Sequence, residues 1–312
     1  MKAHSGSPEQ HTFPNWLAGA LTVGALGVLL WLERRRPLRH ATESKFTRDA
    51  RNLAVAAGAG LAMSLVERPL ALRLARHVTA QRLGLLNQAP LPRWLATAAG
   101  IVLLDYTLYL WHYLTHRVGF LWRCHVVHHA DLDMDATTAL RFHCAEMLLT
   151  VPFRLAQVRV IGVSPYALTF WQTLLFLSVL FHHSNVELPI ACERQLNRFI
   201  VTPRMHGIHH SLVREETDAN WSSGLTLWDW LHGTLRRDIP QPAIVIGVPA
   251  YRTPEQVTLG NVFALPFVAQ PDTWQLPAGA GRPVRRALPT RAAAAPLVAD
   301  DATTYEIETQ TL

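Results

Sequence analysis

His112 and His116 stand four residues apart, His125, His128 and His129 follow as H-x2-H-H, and His206, His209 and His210 repeat that pattern further on. On a helix, positions i, i+3 and i+4 share a face, so each cluster presents its imidazoles in one direction. Eight rings in three such clusters match a multi-metal site, and imidazole is a borderline ligand that suits iron, zinc, copper or nickel. Eleven of the 16 histidines fall between 112 and 210, which argues against rings scattered through a core or over a surface. The sequence has no HExxH, so a zinc peptidase with a glutamate base loses its main support, and it has no GxSxG or Walker motif. A histidine-rich, carboxylate-poor set fits a redox metal held by neutral imidazoles, with a position open for a small molecule such as dioxygen.

The composition points to where these clusters are held. The 312 residues are 49% hydrophobic and only 17% charged, against about 25% charged in soluble proteins. That favours a membrane. The net charge of +6 comes from basic residues spread along loops and beside apolar runs, without the aromatic-and-basic interleaving of a nucleic-acid surface; they read as topology signals and lipid-headgroup contacts. Cys124, Cys144 and Cys192 form no CxxC and no disulfide framework, which suits a reducing, cytoplasm-facing site.

The chain opens with a polar stretch, 1–14, that lacks the features of a secretory signal. Residues 16–32 form an uncharged apolar run long enough to span, followed by Glu33, Arg34, Arg35 and Arg36, which the positive-inside rule places in the cytoplasm. Residues 53–66 predict a second, short span rich in Ala and Gly. Residues 67–93 carry five arginines and predict an amphipathic interfacial helix, which simple topology would leave outside. A third span, 94–110, delivers His112 and His116 at the cytoplasmic surface. Segments 142–163 and 166–181 predict a re-entrant pair turning near Ser164 and Pro165, because the clusters before and after must meet on one side; a shallow amphipathic segment followed by one deep helix is the alternative. Pro203 is placed to start the helix of the third cluster. From Pro240 the chain turns rich in Pro and Ala, and 276–312 reads as disordered.

The expected fold is therefore all-α, a multi-span integral membrane bundle with a cytoplasmic histidine-rich cap. It divides into an N-terminal membrane segment 1–93, a catalytic unit 94–240 and a largely disordered tail 241–312. Asp105, Tyr109, His112 and His116 share one helix face, so the Asp105 carboxylate is a candidate to accept the second N–H of a ligating histidine. Glu146 is a second acidic candidate. Trp111, Trp122, Phe142 and Trp171 are candidate walls for a lipid channel.

The three clusters resemble the histidine boxes of the fatty acid hydroxylase and sterol desaturase superfamily. The likeness extends to Leu121-Trp122-Arg123, to 137–143, to His183-Ser184-Asn185, to 201–206, and to Asn220-Trp221 with Trp228-Asp229 and Gly233-Thr234, covering roughly 94–236. It implies a non-haem di-iron centre on the cytoplasmic face that uses O2 to hydroxylate or desaturate a lipid. The implied ligands are His112, His116, His125, His128, His129, His183, His206, His209 and His210. His143 would be a further ligand or stand behind one, and Asn185 would hold a water near a metal. Cys124, Cys144, His182 and His232 depart from the family pattern, and His182 and His232 read as incidental. With no CxxCH and no GxGxxG, electrons are expected from a separate ferredoxin, flavoprotein or cytochrome b5-like protein. The competing readings are a membrane metal-binding or transport protein, and a non-oxidative lipid-modifying enzyme on the same scaffold. A transporter would place histidines along the depth of its spans, whereas these lie at helix ends.

Overall fold

The computed structural model describes residues 11–287 and 305–310. The first ten residues of the polar opening, and 288–304 and 311–312 of the expected loose tail, lie outside them.

Helix α1 (Asn15–Arg35) is apolar along its length and ends in arginines, as its composition dictates. Helix α2 (Lys45–Ala62) runs without a break through a π-turn at Met63–Glu67 into α3 (Arg68–Ala80). This corrects the expectation of a short span followed by a separate interfacial helix. Pro69 lacks an N–H, and the wider turn before it lets the helix continue past the ring. A single turn, α4 (Leu85–Gln88), leads to α5 (Arg93–Arg117). Gly84 and Gly162 both have positive φ, and a Cβ on Gly84 would lie 2.5 Å from the Gly162 backbone, so the two loops cross where only glycine fits. Three stretches, Asn15–Arg35, Lys45–Gln88 and Arg93–Arg117, are long and apolar enough to cross a membrane.

Helix α6 (Gly119–His129) turns back from the end of α5. Helix α7 (Cys144–Gln157) continues into a π-turn at Val158–Gly162, and the chain turns at Ser164 and Pro165, as expected, into α8 (Pro165–His183), with the Ser164 side chain capping the start of α8. Helices α5 and α1 both pack on α8, and α2 packs on α7. Ala71, Ala75, Leu104, Leu168 and Trp171 fill the core between α3, α5 and α8. Short helices α9 (Ile190–Leu196), α10 (Pro203–His209), α11 (Arg214–Thr217) and α12 (Leu227–His232) complete the cap.

A buried ionic clamp fastens α2 to the loop after α6. Arg48 pairs with Asp131 and Asp135, Arg51 with Glu43 and Asp131, and Asn52 donates to Asp131 and accepts from Arg141.

The stretch after Pro240, expected as a loose tail, folds onto the cap. Leu212 N donates to Val245 O over 2.8 Å and Gly247 N to His210 O over 3.0 Å. Val248, Tyr251, Val257 and Val262 of the segment around α13 (Leu259–Ala264) join Trp122, Val126 and Val127 in one core. A two-stranded antiparallel ribbon, β1 (Arg282–Ala287) with β2 (Tyr305–Gln310), is an addition to the expected all-α fold.

Candidate metal centre

Nine histidines gather into two groups. His112, His116, His125, His129 and His209 form one, and His128, His183, His206 and His210 the other; within each, one nitrogen per ring lies within 4.8 Å of all the others. All are at least nine-tenths buried except His116, which is half-buried.

The division follows from helix geometry. A residue advances the helix by about 100°, so i and i+4 point about 40° apart while adjacent residues diverge by about 100°. On α6 the i, i+4 pair His125 and His129 joins the first group, and His128, at i+3, joins the second. On α10 the i, i+4 pair His206 and His210 joins the second group, and His209 crosses to the first. Each H-x2-H-H element thus serves both groups, two rings to one and one to the other.

Backbone carbonyls decide which nitrogen faces inward. His112 Nδ1 donates to Trp221 O over 2.7 Å, His209 Nδ1 to Ala219 O over 2.7 Å, and His183 Nδ1 to Val179 O over 2.8 Å. A carbonyl only accepts, so Nδ1 carries the proton and Nε2 keeps its lone pair. His112 and His209 nevertheless place their Nε2 atoms 3.1 Å apart, with no proton to share. Two facing lone pairs at that separation need a cation, and about 3 Å is the spacing of two ligands at right angles around a metal with bonds of about 2.1 Å. His183 Nε2 stands 3.0 Å from His128 Nε2 and 3.1 Å from His206 Nε2 in the second group. His125 Nε2, His129 Nε2 and both nitrogens of His116 and His210 are buried without a partner, further evidence that the set fits metal ions.

Burial first, and then the neighbouring imidazoles, hold His128, His129, His206 and His210 well below the usual histidine range; burial pushes His209 down to about 3. The rings are neutral at physiological pH, as ligands must be.

The remaining candidates divide. Glu146 Oε1 accepts from His125 Nδ1 over 2.8 Å and orients that ring. Asp105 touches no histidine: it accepts from Trp228 Nε1 over 2.7 Å and Leu225 N over 3.0 Å. Its neighbour in the cap, Asp229, accepts from the Trp221 and Ser222 N–H groups, so these carboxylates act by holding the strip whose Trp221 carbonyl aims His112. Asn185, expected to hold a water, spends its side chain on the Arg39 backbone, accepting from N and donating to O. His143 caps α7, its Nδ1 accepting from Ala145 N, and belongs to neither group. His182 is more engaged than an incidental residue: its ring centroid lies 4.1 Å from that of His206. His232 stacks on Tyr106 and Tyr109, outside both groups.

A cavity of about 540 Å³ opens beside the rings and runs between α1, α2, α7 and α8. His112, His125, His128, His183 and His206 form its head. Trp111 and Phe142 line it as predicted, Phe142 stacking on His128 with centroids 4.4 Å apart. Trp122 and Trp171 do not. Trp122 stacks on Trp274 and donates to Thr273, and Trp171 packs in the core beneath Arg154.

Residues 97–234 match the fatty acid hydroxylase family. Over 146 residues the chain is 30% identical to an ornithine lipid hydroxylase of Rhizobium tropici, a stretch that is 46% of this chain and 42% of that protein. It is 27% identical over 145 residues to the alkylglycerol monooxygenase of Homo sapiens, 46% of this chain and 31% of that protein. It is 30% identical over 140 residues to the cholesterol 25-hydroxylase of Homo sapiens, 44% of this chain and 49% of that protein. Each match spans less than half the length of the relative. No solved structure is similar to the chain at a significant level.

Proposed function

We propose that this chain, whose residues 97–234 carry the fatty acid hydroxylase domain, is a multi-pass membrane oxygenase that hydroxylates a lipid with O2 at a non-haem di-iron centre on the cytoplasmic face. The observation that carries this reading is the pair of reciprocal histidine groups, with lone pairs facing one another at the head of an apolar cavity. The five-histidine group and the four-histidine group would each hold one iron. Bound iron supplies the redox chemistry that activates dioxygen against an alkyl C–H bond, which side-chain acids and bases cannot break.

The chain's own residues do the rest. The Trp221, Ala219 and Val179 carbonyls and Glu146 fix the tautomers and directions of four rings. Phe142 and Trp111 wall the cavity where an alkyl chain reaches the rings and exclude water there. Three helices long and apolar enough to cross a membrane support lateral entry of lipid from the bilayer. Electrons come from a separate carrier, a ferredoxin, flavoprotein or cytochrome b5-like protein. Desaturation of the same lipid chain is the alternative outcome.

The test is metal content and iron oxidation state on gently extracted protein, compared with His128→Ala. About two irons per chain, reduced in the variant, followed by an oxygenated product in cells fed labelled lipids, is the expected result. Full metal occupancy in the variant would sink the ligand assignment.

A further inference from the structure

The cavity does not end at the histidines. Along α7, Arg154 stands eight residues beyond Glu146, and along α8, Gln172 stands eleven residues before His183. At 1.5 Å per residue, Arg154 lies about 12 Å along α7 from Glu146, which orients His125, and Gln172 about 16.5 Å along α8 from His183. There they meet Glu67, on the π-turn Met63–Glu67, and all three line the cavity. Arg154 Nε donates to Glu67 Oε1 over 3.1 Å, and Gln172 Nε2 donates to the same oxygen over 3.3 Å. Arg154 is itself held, its guanidinium 4.6 Å over the Trp171 ring and its Nη1 donating to Gln157.

Glu67 is only 3% exposed, and its second oxygen, Oε2, has no hydrogen-bond partner. A carboxylate oxygen buried in a cavity is costly unless a donor meets it. The protein supplies none, so the donor belongs to the occupant. Charge selects its kind. Glu67 and Arg154 already neutralise each other, so an ammonium would leave a net positive charge buried, whereas a hydroxyl adds none.

We propose, on the basis of the lipid-oxygenase reading above, that Glu67 receives the neutral hydroxyl of an amphipathic lipid whose chain runs along the cavity to the histidines. Two donors clamp the carboxylate, so the fold fixes how far from that hydroxyl the oxidised carbon lies. Glu67, Arg154 and Gln172 are then specificity determinants, remote from the reacting atoms.

The experiment is saturation binding of tritiated tetradecanol to the full-length protein in lipid nanodiscs, competed by its methyl ether, which keeps the chain and loses the donor. In the wild type the alcohol should bind about tenfold more tightly than the ether, the scale of one hydrogen bond to a charged group. In Glu67→Leu/Arg154→Met, which removes the acceptor and both charges together, the ratio should fall to within about twofold, with binding of the chain retained. Equal binding of alcohol and ether by the wild type overturns the proposal, whether or not the variant folds, and so does a preference that survives in the variant. Binding is read without turnover. A preference without any oxidised product therefore counts against the oxygenase reading and leaves the site standing, while equal binding of alcohol and ether, both oxidised, does the reverse.

Discussion

The five-histidine group is built from one stretch of chain and the four-histidine group is not. His112 and His116 on α5 and His125 and His129 on the adjoining α6 supply four of the five rings in the first, and only His209 arrives from a distance. The second takes His128 from α6, His183 from α8, and His206 and His210 from α10 and its cap. Orientation differs in the same sense. Three rings of the first group have Nδ1 fixed by a hydrogen bond, on Trp221, Glu146 and Ala219, against one of the second, on Val179. One helix corner brings four rings of the first group together, and His209 with the Trp221 and Ala219 carbonyls completes it from the cap. The second group waits for α8 and α10 to dock, and for the 245–247 segment to close on His210.

The comparison predicts unequal losses. Removing one ring leaves four in the first group and three in the second. His128→Ala should lose the metal of its group and all oxygenation, whereas His116→Ala should keep metal in both groups at reduced affinity. Metal per chain, measured after dialysis against a weak chelator, separates the two. Equal loss in both variants would break the distinction.

A smaller effect is expected behind the first group. Glu146→Leu leaves His125 Nδ1 without its acceptor and should weaken metal at that group by about 10- to 100-fold. Glu146→Gln retains an acceptor oxygen and should cost much less. Competitive titration with a chelator reads both, and an unchanged four-histidine group is the internal control.

Smaller again on metal affinity is Asp229→Ala. The carboxylate accepts from Trp221 N, Ser222 N and Thr234 Oγ1, and it is fully buried. Its removal leaves two backbone N–H groups unpaired, at about 1 to 3 kcal/mol each in stability. Its influence on metal passes only through the aim of the Trp221 carbonyl on His112, so the loss at the first group should stay below about tenfold. Denaturant unfolding together with the chelator titration distinguishes the two effects; a loss of metal larger than that of Glu146→Leu would contradict this ordering.

What was legible in the sequence was residue chemistry. Histidine spacing marked eight of the nine rings that now gather, the family resemblance marked His183, and apolar length marked α1, α5 and α8. The partition into two groups was latent in the same spacing, since i+3 and i+4 diverge by about 100°, yet a pattern read only as sharing a face conceals it. The Trp221, Ala219 and Val179 carbonyls left no trace, because a peptide group is the same at every position. Asn185 and His143 misled for the opposite reason: Asn and His also serve as caps and backbone clips. In the tail, Pro and Ala outweighed a short alternation, Ile244, Ile246 and Val248, that is the mark of an extended segment with one face buried. Glu67 was read as the start of an interfacial helix because the π-turn that carries α2 onward has no signal in hydropathy.

The clamp between α2 and the loop after α6 touches neither group, and it offers the mildest test. Burial alone would raise the Asp135 carboxyl, but Arg48 and Lys45 outweigh it and hold it below the ordinary carboxylate range. A carboxylate depressed in the folded state stabilises that state at any pH above its unfolded value, about 3.9, and the contribution is lost as pH falls through the lower folded value. The stability advantage of wild type over Asp135→Asn should therefore be present at about pH 5 and shrink below about pH 4. Measuring the difference cancels the imidazoles, which titrate identically in both proteins. At neutral pH the variant should keep the metal of both groups, because α6 retains Asp131, Asn52 and Arg141 on its other side. Selective loss from the four-histidine group would show that its late-docking partners α8 and α10 depend on the clamp. Loss from the five-histidine group alone would show that the helix corner is less self-sufficient than its local construction implies.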